Sequence, residues 1–338
     1  MTEALAEVAA VQMPTVAIAP YRAPAWVPGG HLQTIWPYVL PRPAVAYRRE
    51  RIAAPDGDFW DFDWIEPTSG ARAMPLVVLF HGLEGSSGSQ YARVLMALLA
   101  ARGWRGVIPH FRGCSGEPNR MPRAYHSGDH EELAAMLAAI RARVSIETIV
   151  HAVGVSVGGS VLLNWLGRAG SGAARMISAA AAVSTPIDLT AAGIALGRGF
   201  NRVYTQNFLN TLKPKSLAQA KRFPGLLAEE KIRSARSLYD FDDAVTSQLH
   251  GFAGAEDYWR RASCKPWLSR VAVPTLILNA KNDPFVPRES LPAESEVSDD
   301  VLLLQPDGGG HAGFLSGPFP GNLEWLPRRL LDFFIHRQ

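Results

Sequence analysis

The sequence has few cysteines and little excess charge, and each shortage argues against a class of protein. Cys114 and Cys264 are its two cysteines, too few for a disulfide framework, so a reduced, cytoplasmic setting is the default expectation. The formal net charge is only +3 over 338 residues. No cluster of lysine and arginine interleaved with aromatic residues is present, so we expect no binding to nucleic acid.

Long apolar runs are also lacking. No stretch of about 18 uninterrupted apolar residues occurs, so the sequence predicts no transmembrane segment, although peripheral contact with a membrane stays open. The first twenty residues carry Glu3 and Glu7 but no lysine or arginine, which is the wrong charge for a secretory signal.

Two familiar cofactor motifs are missing. Residues 154–159 lack the glycine spacing of a dinucleotide site and the lysine of a phosphate-binding loop. His130-Glu131-Glu132 lacks the second histidine, four residues after the first, of a helical zinc site. We therefore predict neither a cofactor nor a metal ion.

Most of the chain alternates between short apolar runs and helical repeats. Strands are predicted at 45–52, 59–65, 76–80, 105–109, 148–154, 178–184, 274–280 and 301–304, and helices at 90–101, 129–143, 157–168 and 323–334. Strands separated by helices of about ten or more residues imply right-handed crossovers and a mostly parallel sheet with helices on both faces. The first two strands, joined by a turn at 55–57, should form an antiparallel edge.

The alternation stops after Ser184. Residues 186–270 contain helical stretches between prolines and no strong strand signal, so we interpret them as a helical cap over the carboxyl ends of the strands. Residues 44–185 and 271–338 would form the core, after an irregular, proline-rich segment at 1–43. Six apolar residues of the cap would line an acyl pocket or form the cap's own core: Phe200, Tyr204, Phe208, Leu209, Phe252 and Trp259.

Gly154-Val155-Ser156-Val157-Gly158 lies between a predicted strand and a predicted helix. The flanking glycines permit a sharp turn that lifts the hydroxyl of Ser156 out of the sheet as a candidate nucleophile. The alternative is that Ser156 is only a small residue in a tight turn.

An acid and a histidine follow in the order that such a nucleophile requires. Asp283 comes just after the strand at 274–280, and His311 lies in a glycine-rich loop after the strand at 301–304. Because the carboxyl ends of parallel strands meet at one edge of a sheet, we expect these side chains to converge on Ser156. The backbone N–H groups of Leu83 and Val157 would form an oxyanion hole, and His81 would shape the loop around Leu83.

Plainer interpretations of these residues stay open. Asp283 could serve only as a turn former before Pro284, with Asp243 or Asp307 in the acid role, and His311 could be a loop histidine bonded to backbone.

The chain resembles α/β-hydrolases, and among them the YheT-like family, from about residue 24 to residue 334. The resemblance lies in seven motifs: Gly30-His31-Leu32-Gln33-Thr34-Ile35-Trp36-Pro37, His81-Gly82-Leu83-Glu84-Gly85, His110-Phe111-Arg112-Gly113-Cys114-Ser115-Gly116, Tyr125-His126-Ser127-Gly128-Asp129, Gly154-Val155-Ser156-Val157-Gly158-Gly159, Asp240-Phe241-Asp242-Asp243 and Asn282-Asp283-Pro284.

The resemblance implies an α/β-hydrolase fold and a serine hydrolase acting on carboxylic esters, with Ser156, Asp283 and His311 as its catalytic triad. It indicates a small-molecule ester or lipid substrate, as in esterases, lipases and phospholipases. Two alternatives remain at this point. One is hydrolysis of a thioester, amide or carbon–carbon bond, and the other is a non-catalytic binding protein with the hydrolase fold.

Overall fold

A computed structural model describes residues 21–65 and 74–336. The strands in these residues are β1 (Arg48–Ala53), β2 (Phe59–Ile65), β3 (Leu76–Phe80), β4 (Arg105–Pro109), β5 (Val150–Val155), β6 (Ala179–Val183), β7 (Thr275–Leu278) and β8 (Val301–Leu304). The α-helices are α1 (Gly29–Ile35), α2 (Gln90–Ala101), α3 (His130–Arg141), α4 (Val157–Ala169), α5 (Leu189–Leu196), α6 (Asn201–Arg222), α7 (Glu229–Ser234), α8 (Leu238–Phe241), α9 (Ser247–His250), α10 (Ala255–Ala262) and α11 (Trp325–Ile335).

The strands form one sheet in the order β1-β2-β4-β3-β5-β6-β7-β8. β2 pairs antiparallel with both β1 and β4, and the strands from β4 through to β8 are parallel. The predicted mixed α/β sheet with an antiparallel edge is therefore confirmed. β5 lies between β3 and β6, with β7 and β8 beyond β6, so the loops that follow β3, β5, β7 and β8 all leave the same edge of the sheet.

The central strands are buried on both faces, as a parallel sheet covered by helices requires. One apolar cluster packs α3 and α4 against one face, and another packs α2 and α11 against the other. This two-sided packing holds the strand ends rigidly, and so holds the loops that leave them.

The segment between β6 and β7 is helical within residues 186–270 and contains α5 to α10. Its longest helix, α6, continues through Pro214. A separate apolar cluster lies inside it, built around Leu209, Ile232, Phe241 and Val245. The boundaries of a cap at 186 and 270 stay a prediction.

The N-terminal segment departs from the prediction. Residues 29–38 were expected to be irregular, yet they form α1 followed by a 3₁₀ turn, Trp36–Tyr38. The helix is short, ends before Pro37 and buries polar rather than apolar side chains, so apolar periodicity could not reveal it. The part of that segment at 1–20 lies outside the described residues.

No helix in the described part of the chain is both long enough and apolar enough to cross a membrane.

Candidate active site

Ser156 occupies the turn between β5 and α4 in a conformation that side chains rarely adopt, with φ 55° and ψ −121°. Glycine at position 158 permits this turn, because a Cβ there would collide with the backbone carbonyl of Phe80. The Ser156 N–H donates to the carbonyl of Val183 on β6 at 2.9 Å, which ties the turn to the neighbouring strand. The hydroxyl is thus presented at the carboxyl edge of the sheet, as the sequence predicts.

The structure brings Asp283 and His311 together. His311 Nδ1 lies 2.9 Å from Asp283 Oδ2, and the Asp283 side chain is fully buried. The other carboxylate oxygen accepts the backbone N–H groups of Phe285 at 2.8 Å and Val286 at 3.4 Å. Both oxygens of Asp283 are therefore satisfied, so the carboxylate is held as an acceptor for the imidazole N–H.

The two alternative carboxylates lie elsewhere. Asp243 accepts the backbone N–H of Ala255 at 3.3 Å, inside the helical segment. Asp307 is 91% exposed and pairs with Lys281 at 3.0 Å. Of the three candidates, Asp283 is the one that the fold places against His311.

The loop that carries His311 is held by side chains from outside it. Four successive backbone N–H groups, from residue 309 to residue 312, each donate to a side-chain oxygen. The acceptors are Gln33 Oε1 for Gly309 at 2.7 Å, Asn282 Oδ1 for Gly310 at 3.0 Å, Thr34 Oγ1 for His311 at 2.9 Å and Ser184 Oγ for Ala312 at 2.8 Å. The loop has no strand or helix to satisfy these donors, so its conformation depends on these four partners.

Gln33, Thr34 and Asn282 belong to the sequence motifs described above, but the sequence predicts no role for them. Gln33 also accepts from Asn282 Nδ2 at 3.0 Å, so α1 joins the loop of Asp283 to the loop of His311. The adjacent polar residues Gln33 and Thr34 could have suggested a binding role for this segment, but nothing in the sequence identifies which loop they hold.

The predicted oxyanion loop follows β3. Leu83 and Val157 line the same cavity as Ser156. Fully buried His81 braces this loop: its Nδ1 lies 2.8 Å from the Gly82 carbonyl, and its Nε2 accepts the N–H of Phe111 at 3.1 Å. Burial, reinforced by the nearby His110, lowers the pKa of His81 to about 3, so the ring is neutral and has a bracing role.

A contact that the sequence did not indicate joins this loop to the helical segment. Lys215 of α6 pairs with Glu84 at 2.7 Å, and the backbone N–H of Glu84 donates to the Tyr125 hydroxyl at 2.8 Å. Glu84 directly follows Leu83 and has a positive φ of 56°. The position of α6 is thus coupled mechanically to the loop that carries the Leu83 N–H.

A cavity of about 690 Å³ lies between the strand ends and the helical segment. Ser156, His311, Leu83 and Val157 all line it. Its walls are mostly apolar and include Leu189, Leu196, Phe208, Leu212, Trp259, Phe285 and Val286. A site of this size and polarity suits a ligand with a substantial apolar part.

The six apolar residues proposed from the sequence to line an acyl pocket or form the core of the cap lie in different environments. Phe208 and Trp259 line the cavity, whereas Leu209 belongs to the segment's own apolar cluster. Phe252 packs on Tyr258, with ring centroids 5.2 Å apart. The other two, Phe200 and Tyr204, lie against His31 of α1.

Comparison with known proteins agrees with this architecture. The profile of the alpha/beta hydrolase fold family matches residues 75–318. YheT of Escherichia coli (strain K12) is 39% identical over 307 residues, which cover 90% of this chain and 89% of YheT. Phospholipase ABHD3 of Homo sapiens is 30% identical over 321 residues, covering 93% of this chain and 78% of ABHD3.

A solved structure shares the fold at low sequence identity. Est1E of Butyrivibrio proteoclasticus with bound ferulic acid superposes with a TM-score of 0.54 at 16% identity, covering 87% of this chain and 99% of Est1E. The fold, the sequence match over most of the chain and the predicted motifs agree: the chain belongs to the α/β-hydrolase family, in its YheT-like group.

Proposed function

We propose that this chain is a serine hydrolase that cleaves carboxylic esters through Ser156, His311 and Asp283. The observation that carries the proposal is the 2.9 Å contact between His311 Nδ1 and buried Asp283, beside a cavity that Ser156 also lines. A carboxylate at Nδ1 selects the tautomer with its proton on Nδ1, which leaves Nε2 as the base.

The proposed first step forms an acyl-enzyme. His311 Nε2 removes the Ser156 proton as Oγ attacks the ester carbonyl, and Asp283 stabilises the resulting imidazolium. The N–H groups of Leu83 and Val157 bind the oxygen that becomes negative. His311 then returns its proton to the alcohol that leaves.

The second step releases the acid. Water enters, His311 removes its proton, and the oxygen attacks the acyl carbon in the same oxyanion environment. The bond between the acyl carbon and Ser156 Oγ then breaks as His311 returns the proton to Oγ, which frees the acid and restores the serine. Each oxyanion donor contributes roughly 100- to 1000-fold to turnover in other hydrolases. The link from Lys215 through Glu84 would therefore make turnover depend on the position of α6.

Relatives favour esters over other bonds. Human phospholipase ABHD3 and the mouse monoacylglycerol lipase ABHD2, which is 26% identical over 338 residues, are both named for ester cleavage in lipids. The apolar walls of the cavity support an ester with a medium or long acyl chain. A cytoplasmic location, predicted from the scarcity of cysteine, stays a prediction, and both cysteines are free and buried.

The test is labelling of the purified protein with a fluorophosphonate probe, followed by peptide mapping, with Ser156→Ala as the matched control. We expect the adduct on Ser156, and turnover of an ester that falls by roughly a million-fold in Ser156→Ala. Turnover retained in a folded Ser156→Ala variant would overturn the assignment. A folded wild-type chain that takes no label would indicate a protein that only binds its ligand.

A panel of matched ester, thioester and amide substrates separates the bond types. The proposal expects the highest kcat/KM for the ester. A thioester or amide that exceeds its ester counterpart by about tenfold or more would assign the site to that bond.

A further inference from the structure

Helix α1 and the turn that follows it bury polar side chains and expose apolar ones. The polar side chains of Gln33 and Thr34 are buried, where they hold the His311 loop. The outward side carries Leu32, Ile35, Tyr38 and Val39, which are between 39% and 66% exposed. A helix at the surface of a soluble domain normally shows the opposite pattern.

The apolar surface extends beyond α1 in two directions. The His31 ring lies 4.8 Å from Phe200 at the start of α6, and Trp36 lies 5.8 Å from Phe319. Phe200 and Phe319 are 53% and 69% exposed, and Val203, one turn along α6, is 56% exposed. We call the seven exposed side chains the apolar face: Leu32, Ile35, Tyr38, Val39, Phe200, Val203 and Phe319.

Two of the three segments that build the apolar face are basic, and the third holds no lysine, arginine, aspartate or glutamate. Residues 21–47, 189–228 and 308–323 together hold eight lysines and arginines, two in the first segment and six in the second. Lys215 is paired with Glu84, and Asp188, Glu229, Asp307 and Glu324 directly flank these segments. Exposed Arg198 and Arg202 flank Phe200 in sequence.

We propose that the apolar face docks on an anionic lipid surface. Its aliphatic and aromatic side chains would enter the boundary between headgroups and acyl chains, while Arg198 and Arg202 contact lipid phosphates. Arg198 and Arg202 select this occupant, because exposed arginines beside exposed apolar residues match a negatively charged bilayer.

The apolar face also lies close to the candidate active site. His31 Nδ1 lies 3.1 Å from the Tyr204 hydroxyl, and the Tyr204 ring lies 4.7 Å from Phe285, which in turn lies 4.2 Å from the His311 ring. After docking, the rings of Tyr204 and Phe285 would therefore lie between the lipid surface and His311. The docking itself does not depend on ester cleavage, so the two proposals fail separately.

The test is sedimentation of the full chain with vesicles of equal parts phosphatidylglycerol and phosphatidylcholine, and with vesicles of phosphatidylcholine alone. We expect binding to the anionic vesicles that weakens with salt, and at least tenfold weaker binding to the neutral ones. Arg198→Gln/Arg202→Gln should weaken anionic binding by roughly 30-fold, at about fivefold for each arginine. Arg102→Gln/Arg175→Gln, at exposed sites outside the three segments, is the matched control and should bind as wild type.

A second pair of variants tests the apolar contribution. Leu32→Ser/Val203→Ser should weaken anionic binding roughly tenfold or more, whereas Ile146→Ser/Leu302→Ser, which removes exposed aliphatic side chains elsewhere, should not. Circular dichroism and turnover of a short, water-soluble ester check that every variant is folded.

Three outcomes would overturn the proposal. The first is failure of the wild type to bind anionic vesicles at low salt, which would mean that another part of the chain or a protein covers the face. The second is equal loss of binding in the matched controls. The third is a dimer in sedimentation velocity that Leu32→Ser/Val203→Ser dissociates while vesicle binding is absent, which would assign the face to a second copy of this chain.

Discussion

Replacing Thr34 by valine should lower ester turnover, although Thr34 lies outside the proposed triad. Its Oγ1 accepts the backbone N–H of His311 at 2.9 Å, and it also donates to the Gly30 carbonyl at 2.7 Å. Valine has nearly the same shape but cannot accept a hydrogen bond. The His311 N–H would then be left without its partner beside a largely buried imidazole.

The size of the effect follows from the cost of an unsatisfied buried donor. That cost is about 1–3 kcal/mol, and the loop can avoid it only by moving the N–H, and with it the imidazole, toward water. If the whole cost falls on the arrangement that reacts, kcat/KM should drop by about 5- to 150-fold. Because Thr34 does not line the cavity, most of the drop should appear in kcat rather than in KM.

The assay compares Thr34→Val with Thr34→Ser on one soluble ester, alongside melting temperatures of both variants. Thr34→Ser keeps the hydroxyl and should retain wild-type turnover within about threefold. A purely structural role would lower the melting temperature of Thr34→Val without changing kcat in the protein that remains folded. Equal kcat values for Thr34→Val and Thr34→Ser would refute the argument that Thr34 positions the histidine.

Three further predictions concern the acid, a buried histidine and the cavity. Asp283→Asn should lower kcat by roughly 10,000-fold, whereas Asp243→Asn should stay near wild type, and the reverse result would move the acid role to Asp243. Burial lowers the pKa of His151 to about 4, and the ring, stacked on Phe334, has no hydrogen-bond partner among the described residues. In the unfolded chain this imidazole becomes protonated below about pH 6.5, whereas in the native protein it stays neutral down to about pH 4. Because the unfolded chain binds more protons between these pH values, this histidine lowers the free energy of unfolding as the pH falls. Between pH 8 and pH 5, the free energy of unfolding of His151→Phe should therefore fall by about 2 kcal/mol less than that of the wild type. Urea unfolding curves that show the same pH dependence for both proteins would contradict this. A series of esters should peak at medium or long acyl chains, and a maximum at acetate would show that the apolar walls do not bind the acyl group.

The placement of Ser156 was predictable because it is a local property. Ser156 lies between an apolar run and an amphipathic run, and the glycines on either side of it are evident in the same five residues. Asp283 and His311 were found by a similar rule, since each follows a short strand whose apolar character is evident in sequence. In a parallel sheet, residues just past strand ends meet at one edge.

The role of α1 could not be predicted, because it depends on contacts between segments that are far apart in the sequence. Gln33 and Asn282 are 249 positions apart, and their contact exists only because the sheet brings the loop after β7 beside the N-terminal segment. A polar residue that is buried to satisfy a distant loop has the same local sequence signature as an exposed one.

The amino-acid sequence by itself determined the alternation of strands and helices, the positions of Ser156, Asp283 and His311 just after strands, and the family, because these depend on local periodicity and on short motifs. Tertiary structure decided which of three aspartates meets His311, which apolar residues of the helical segment line the cavity, and which side of α1 faces water. These outcomes depend on packing between segments far apart in the chain, and such packing leaves no periodic signal in either segment alone.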